Sequence, residues 1–306
     1  MKDSDLEKQT RKIFHDIHLA HLADEEVTTR HSDIIEPGRL GFPEDYFEGT
    51  VCADLGCGSA AHGVVNLLNL GAQFVHALDI DSSFIKPASE RLESNESYLG
   101  RWQADIGSIL DLPYEEEQFD FVLCRGVIHH VSDDNKAVAE IHRVLKTGGK
   151  AFIYVTGKGG MLNRLFKEVL RDEYQHDEAM QQLVVDGDLE GWLKDQLEDL
   201  KNKIDSSDQE SWQASVNLLE NLMKLIDNDL VLSLRDIVQA PQYMSYTEAQ
   251  WFTLLEDNGF KRYHRVFYKP HYRNVRTIFA PLYYEHDHPL ARLFYGDGSM
   301  NVVVTK

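Results

Sequence analysis

The chain has little of several things, and each shortage excludes a class of protein. No apolar run approaches the roughly 18 residues that a membrane-crossing helix needs, and the N-terminal MKDSDLEKQTRK is polar, with no apolar stretch of the kind a signal peptide carries. A cytoplasmic location is the expectation. Only three cysteines occur in 306 residues, Cys52, Cys57 and Cys124, and none forms a CxxC pair. That fits neither the disulfide framework of a secreted domain nor a zinc spacing, so they read as free thiols. Basic residues are scarce, 31 Lys and Arg against 51 Asp and Glu, for a formal net charge of −20. Such a surface repels polyanions at long range, so neither nucleic acid nor an anionic membrane is an expected partner. Internal repeats and low-complexity tracts are also absent.

What is present is a rhythm of strands and helices. It starts at VCADLGCGSAAHG, Val51 to Gly63, where a short apolar run ends in Asp54 and breaks into closely spaced glycines before a new apolar pattern begins. Strand, glycine turn and helix are predicted there, with Gly56 and Gly58 letting backbone approach a ligand and free N–H groups at the helix start. The alternation continues as strand Thr50–Leu55, helix Ala60–Asn69, strand Gln73–Asp79, helix Ser82–Ser94 and strand Leu99–Ala104. Strand Phe119–Cys124, helix Asp133–Leu145 and strand Lys150–Val155 complete it. This pattern predicts an α/β fold, a mostly parallel sheet with helices on both faces and a ligand at the carboxyl ends of the strands. At those ends stand Asp79, Asp105, Arg125, His129 and His130.

The flanks read differently. Residues 1–48 form an N-terminal segment: Ile13, Phe14 and Ile17 give an amphipathic helix from about Asp5 to Leu22, placed to cap the core or cover a ligand, and the rest is a lead-in with Leu40, Phe42, Tyr46 and Phe47 as anchors. Residues 49–157 carry the alternation, and 158–245 read as an acidic helical insertion. Two apolar stripes, Leu189 to Ile204 and Trp212 to Ile226, suggest a helical hairpin serving as packed appendage, lid or subunit contact, the last of which would make a homo-oligomer. Residues 246–306 return to the core through a helix at Glu248–Asp257, with Thr247 as N-cap and Gly259 beyond its end, then strands near Arg262–Tyr268 and Asn301–Val304.

Taken together, "ADLGCGSAAHG", "ALDIDSSFI", "ADIGSILDLPYEEEQFDFVLCRGVIHHV", "EIHRVLKTGGKAFIYV" and the later "YTEAQWFTLLEDNGF" resemble the class I S-adenosylmethionine (SAM) dependent methyltransferases of the small-molecule type. The resemblance implies a Rossmann-like seven-stranded sheet and SAM as cofactor. It implies that Gly56 and Gly58 approach the methionine part of SAM, that Asp54 holds its ammonium, and that Asp79 accepts both ribose hydroxyls. Asp105, with the Ile106 backbone, would take the adenine amino group, and Ile80 would pack on the adenine face. Ala60 departs from the family, which has a third glycine there, and Cys124 lies at the same edge, where a small buried filler is the simpler reading than a reactive thiol.

Methyl transfer from a sulfonium is an in-line displacement that mainly needs alignment and exclusion of water. A base is required only where the acceptor carries a proton, and His129 or His130 could supply it, with Arg125 beside them. The acceptor side is expected from Arg235, Asp236, Tyr243 and Tyr246. No metal is expected, since His286 and His288 lack further placed ligands. Size, insertion and tail faintly resemble bacterial methionine S-methyltransferases, whose thioether acceptor needs no base. N- or O-methylation of another small metabolite, or methylation of a protein docked on the insertion, are the alternatives.

Overall fold

The computed structural model describes residues 3–22, 35–161, 164–186, 195, 198–199, 201–202, 213–217, 220, 235–266, 289, 292–293 and 296–306. Helix α1 (Asp3–Leu22) is followed by the short α2 (Pro37–Leu40). Strand β1 (Val51–Leu55), α3 (His62–Asn69), β2 (Phe74–Asp79), α4 (Ser82–Glu93) and β3 (Trp102–Ile106) come next. They lead into β4 (Phe119–Arg125), α5 (Asp134–Val144) and β5 (Leu145–Thr156). Helices α6 (Leu170–His176) and α7 (Glu178–Asp186) precede α8 (Glu248–Asp257), β6 (Arg262–Arg265) and β7 (Ser299–Thr305).

The seven strands form one sheet in the order β3-β2-β1-β4-β5-β7-β6, parallel through β5 and antiparallel where β7 pairs with both β5 and β6. Strand side chains alternate between faces, and both faces of the central strands are buried. Ala53, Leu55, Val122, Cys124, Ala151 and Ile153 join one core with Ile141 of α5 and Trp251 of α8. Their neighbours Cys52, Phe121, Leu123 and Phe152 join the other, with Leu67 of α3, Leu92 of α4 and Phe47 of the lead-in. Burial on both sides explains why these strands read as nearly continuous apolar runs. The predicted anchors Leu40, Phe42 and Phe47 are buried, and the Phe47 and Phe121 rings meet edge to face at 4.9 Å.

Helix ends follow the expected chemistry. Thr247 and Gln250 form a reciprocal capping box at α8, and Asp133 caps α5 by accepting from the Lys136 N–H. β3 differs from expectation by starting at Trp102. A 3₁₀ turn at Glu96–Tyr98 and Gly100, at φ +73°, hold Leu99 outside the sheet, where its side chain is exposed. The strand therefore runs through Asp105 and Ile106, where the sequence placed its end earlier. No helix among the described residues is long and apolar enough to cross a membrane. Most of the two insertion stripes and the His286–His288 pair lie outside the described residues.

Candidate functional site

The strand order reverses direction between β1 and β4, and a crevice at their carboxyl ends is the place where such sheets bind ligands. A cavity of about 160 Å³ lies there. Its floor comes from Gly56, Asp79, Ile80 and the Arg125-Gly126-Val127 turn, with Gly107, Ser108 and Ile109 at one end and His130 and Ser132 at the other. Its roof is α1, through Leu6, Glu7, Thr10, Arg11 and Phe14.

The glycine turn is shaped by contacts rather than by slack. Gly56 has φ +81°, and a Cβ there would sit 2.4 Å from Val127 Cγ2. Arg91 of α4 donates to the Ala60 carbonyl at 2.7 Å and fixes the far side of the loop, so Ala60 needs no glycine-only conformation. The following Ala61 is the residue that adopts a left-handed φ, at +47°.

Asp79, nearly buried at the tip of β2, receives the Gly58 N–H on Oδ2 and the Asp81 N–H on Oδ1, both at 2.9 Å. Burial raises its pKa and these amide bonds oppose the rise. A carboxylate has about four acceptor positions, so each oxygen keeps capacity for a ligand hydroxyl. Asp54 is turned away from the cavity, beneath the start of α3. Its Oδ2 sits where a Gly63 Cβ would be, at 2.4 Å, and the Val64 N–H bonds to it. Burial pushes its pKa up to about 7, against the attraction of Arg125.

Helix α1 is tied down at two points. Glu7 Oε1 accepts from the Ser108 hydroxyl at 2.7 Å, and His15 Nδ1 lies 3.2 Å from Asp81 Oδ2 and 2.8 Å from Ser83 Oγ. Partial burial works against the Asp81 carboxylate, yet its bonds from Ser83 and His15 hold its pKa below the usual value.

Several residues singled out in the sequence sit elsewhere. Asp105 does not reach the cavity, because His76, Tyr114 and Gln103 engage its carboxylate on the sheet face at 3.2, 3.0 and 2.6 Å. Ile106 is exposed, and Ser108 and Ile109, three residues beyond each, take their place at the cavity end. The Gly58 N–H is spent on Asp79. Cys124 is fully buried in β4, with burial pushing its thiol well up, and serves as core. His129 is buried one step back, its ring edge-on to Tyr154 and Tyr243. Tyr246 is a strut: its hydroxyl donates to Asp134 Oδ2 at 2.9 Å and its backbone bonds Thr156 and Lys158.

Two others, Asp236 and Tyr243, gather near His130. Asp236 Oδ1 lies 3.5 Å from His130 Nε2, the Tyr243 ring is 5.4 Å from the His130 ring, and the Tyr243 hydroxyl meets Thr156 Oγ1 at 2.9 Å. Arg235 adjoins Asp236 in a helical turn at 235–239 and shows no hydrogen bond from its buried Nε. Phe14 lies on the helix expected to cover a ligand, whereas Thr10 in the roof and Ser132 at the His130 end escaped notice in the sequence. The spacing of Leu6, Thr10 and Phe14 along one helix face was the available signal.

The cavity holds unused polar atoms. Arg125 Nε, Thr10 Oγ1 and Ser132 Oγ are buried without a hydrogen-bond partner among the described residues. Buried groups in that state call for a polar occupant. Together with the Asp79 carboxylate and the close approach at Gly56, they fit a ligand with hydroxyls at one end and charged groups at the other, as SAM has.

Residues 53–153 match the family model described as a methyltransferase domain. Phosphoethanolamine N-methyltransferase 2 of Caenorhabditis elegans is 31% identical over 115 residues, 38% of this chain and 26% of that protein. The mouse protein named Probable tRNA methyltransferase 9B is 32% identical over 117 residues, 37% of this chain and 23% of its own. The chain thus matches about a quarter of the length of these curated relatives. Over 97% of its own length it superposes on 96% of the Haloferax volcanii chain solved in complex with the Trm112 methyltransferase activator, at 15% identity and a TM-score of 0.52. Residues 53–153, which carry most of the parallel part of the sheet, are thus similar to a methyltransferase domain.

Proposed function

We propose that the whole chain is a SAM-dependent methyltransferase acting on a small polar molecule. The observation that carries this is the cavity at the reversal of strand order, with the Asp79 carboxylate facing it, Gly56 forming its floor and unpartnered polar atoms around it. When bound there, SAM supplies an electrophilic methyl carbon whose bond to sulfur breaks as the bond to the acceptor forms, the electron pair staying on sulfur. Asp79 would hold the ribose hydroxyls, Gly107 to Ile109 would flank the adenine end, and Arg125 would meet the carboxylate at the other. Asp54 would act from beneath, its charge held against Arg125. Helix α1 would exclude water, which in-line transfer requires.

The relatives act, by name, on phosphoethanolamine and on tRNA. A net charge of −20 favours the small molecule, because binding RNA depends on neutralising phosphates with Lys and Arg. The acceptor side would be formed by His130, Asp236 and Tyr243. Methionine, methylated on sulfur, is one acceptor such a site could take, and a small amine or alcohol is another. Docking of a protein substrate on residues 158–245 is a further reading, without a specific observation in its favour.

Two measurements test the proposal. Saturating SAM at about a hundred times Kd should stabilise the protein by roughly 2.7 kcal/mol in thermal unfolding. Labelled SAM with a metabolite extract should then yield a labelled small molecule. Absence of any stabilisation by SAM overturns the reading.

A further inference from the structure

His130 lines the cavity while being almost fully buried, and its bonding is complete on one side only. Nδ1 lies 3.0 Å from the Gln242 carbonyl oxygen. A carbonyl can only accept, so Nδ1 carries the hydrogen and the neutral ring keeps its lone pair on Nε2. Nε2 makes no hydrogen bond to any described residue. What it faces is Asp236 Oδ1, 3.5 Å away. A lone pair and a carboxylate held face to face repel each other until a proton or a cationic N–H group comes between them.

Burial among packed rings favours the neutral form of the ring. Burial lowers its pKa, Asp236 and the Gln242 carbonyl raise it, and the Arg171 cation lowers it. The other groups packed on it are the Phe14 ring of α1 and the Tyr243 and His129 rings. Arg171 is directed to the carbonyls of Ile237, Val238 and Pro241, behind Asp236.

We propose, on the methyltransferase reading above, that the methyl acceptor is a protonated amine and that His130 Nε2 takes its proton, with Asp236 as the positioning residue for the resulting imidazolium. An ammonium group in the cavity could donate to the Nε2 lone pair, with the Asp236 carboxylate 3.5 Å from that nitrogen. A thioether has no proton to give, and of the acceptors that carry one only an ammonium also brings a positive charge toward the Asp236 carboxylate. In the step, the acceptor's N–H bond breaks with its electron pair left on nitrogen, and the proton bonds to Nε2. It passes from there to solvent at Asp236, whose side chain is 33% exposed. The freed pair on nitrogen is the nucleophile.

The test uses the full-length protein labelled with ¹⁵N-histidine, with His130→Gln assigning the resonance. Imidazole nitrogen shifts are expected to show the Nδ1–H tautomer at neutral pH, and Asp236→Asn should lower the His130 pKa by about one unit. An Nε2–H tautomer, or a pKa that Asp236→Asn leaves unmoved, overturns the proposal whatever the substrate. In parallel, labelled SAM is offered with ethanolamine, phosphoethanolamine and putrescine, or with methionine alone. The amines should be labelled, His130→Gln should slow that labelling by about 10²- to 10⁴-fold, and SAM should still bind by calorimetry. Label in methionine and in no amine overturns the inference while leaving the methyltransferase reading intact. Failure of the unaltered protein to bind SAM removes the reading itself.

Discussion

The backbone N–H of Gly58 donates to Asp79 Oδ2 across 2.9 Å, joining the glycine turn after β1 to the tip of β2. One carboxylate therefore both shapes the turn and faces the cavity. Asp79→Ala should weaken SAM binding by roughly 10²-fold, in line with losing hydrogen bonds to a charged acceptor at about 1.5–3 kcal/mol each. Asp79→Asn should fall in between, since an amide oxygen accepts but its NH₂ cannot. Calorimetric titration with SAM checks the order, and equal affinities for the three proteins would contradict it.

Gly56 meets Val127 on the opposite side of the same turn. Gly56→Ala combines a positive φ with a clash against Val127 Cγ2, and should cost about 1–3 kcal/mol in urea unfolding. Adding Val127→Ala should recover the part due to the clash and leave the part due to φ. A double mutant no more stable than Gly56→Ala would mean that the backbone accounts for the whole effect.

Asp54 makes stability depend on pH. Its pKa, raised by burial to about 7 from the ordinary 3.8, means that the folded state holds a proton the unfolded state has released. Its contribution is complete below about pH 3.8 and is lost as pH rises through about 7. Thermal unfolding without ligand should show a fall across that window of at most about 1.4 kcal/mol per unit. Asp54→Asn should flatten it.

Tyr246 provides a contrast with Tyr243. Tyr246→Phe removes the bond to Asp134 and should lower stability by about 1 kcal/mol with SAM affinity unchanged. Tyr243→Phe breaks the bond to Thr156 beside the His130 ring and should change methyl transfer more than stability. Chemical denaturation and turnover, measured on both variants, separate the two roles.

The sheet was readable because its strands are buried on both faces and separated by helices with their own period, so that local pattern and global fold agree. The strands followed from that, and SAM as cofactor from the resemblance that the ordered motifs carry. The cavity was only half readable. Asp79, Ile80, Gly56, Arg125 and His130 lie at strand ends or just beyond, where topology alone brings them together. Asp105 looked equivalent, but Gly100 delays β3 until Trp102, and the carboxylate is then absorbed by His76 and Tyr114. Ser108 takes the position at the cavity instead. Helix α1 could be predicted as a helix, but nothing local shows that its Glu7 would reach Ser108, 101 residues on. Pairings of that kind depend on the folded chain and leave no periodic trace.

Strand β7 has a consequence for how the molecule is made. It lies between β5 and β6 and is the one sheet partner of β6 among the described residues, pairing Lys150 with Thr305 and Arg262 with Thr305 in one register. Contacts so distant in sequence are slow to form, because the chain entropy of closing the loop is lost before the pairing compensates for it. The parallel half of the sheet can assemble from neighbouring units, and the antiparallel corner waits for β7. Folding should therefore show two kinetic steps, the second reported by Trp251, which packs in the same core as Met300, Val302 and Val304 of β7.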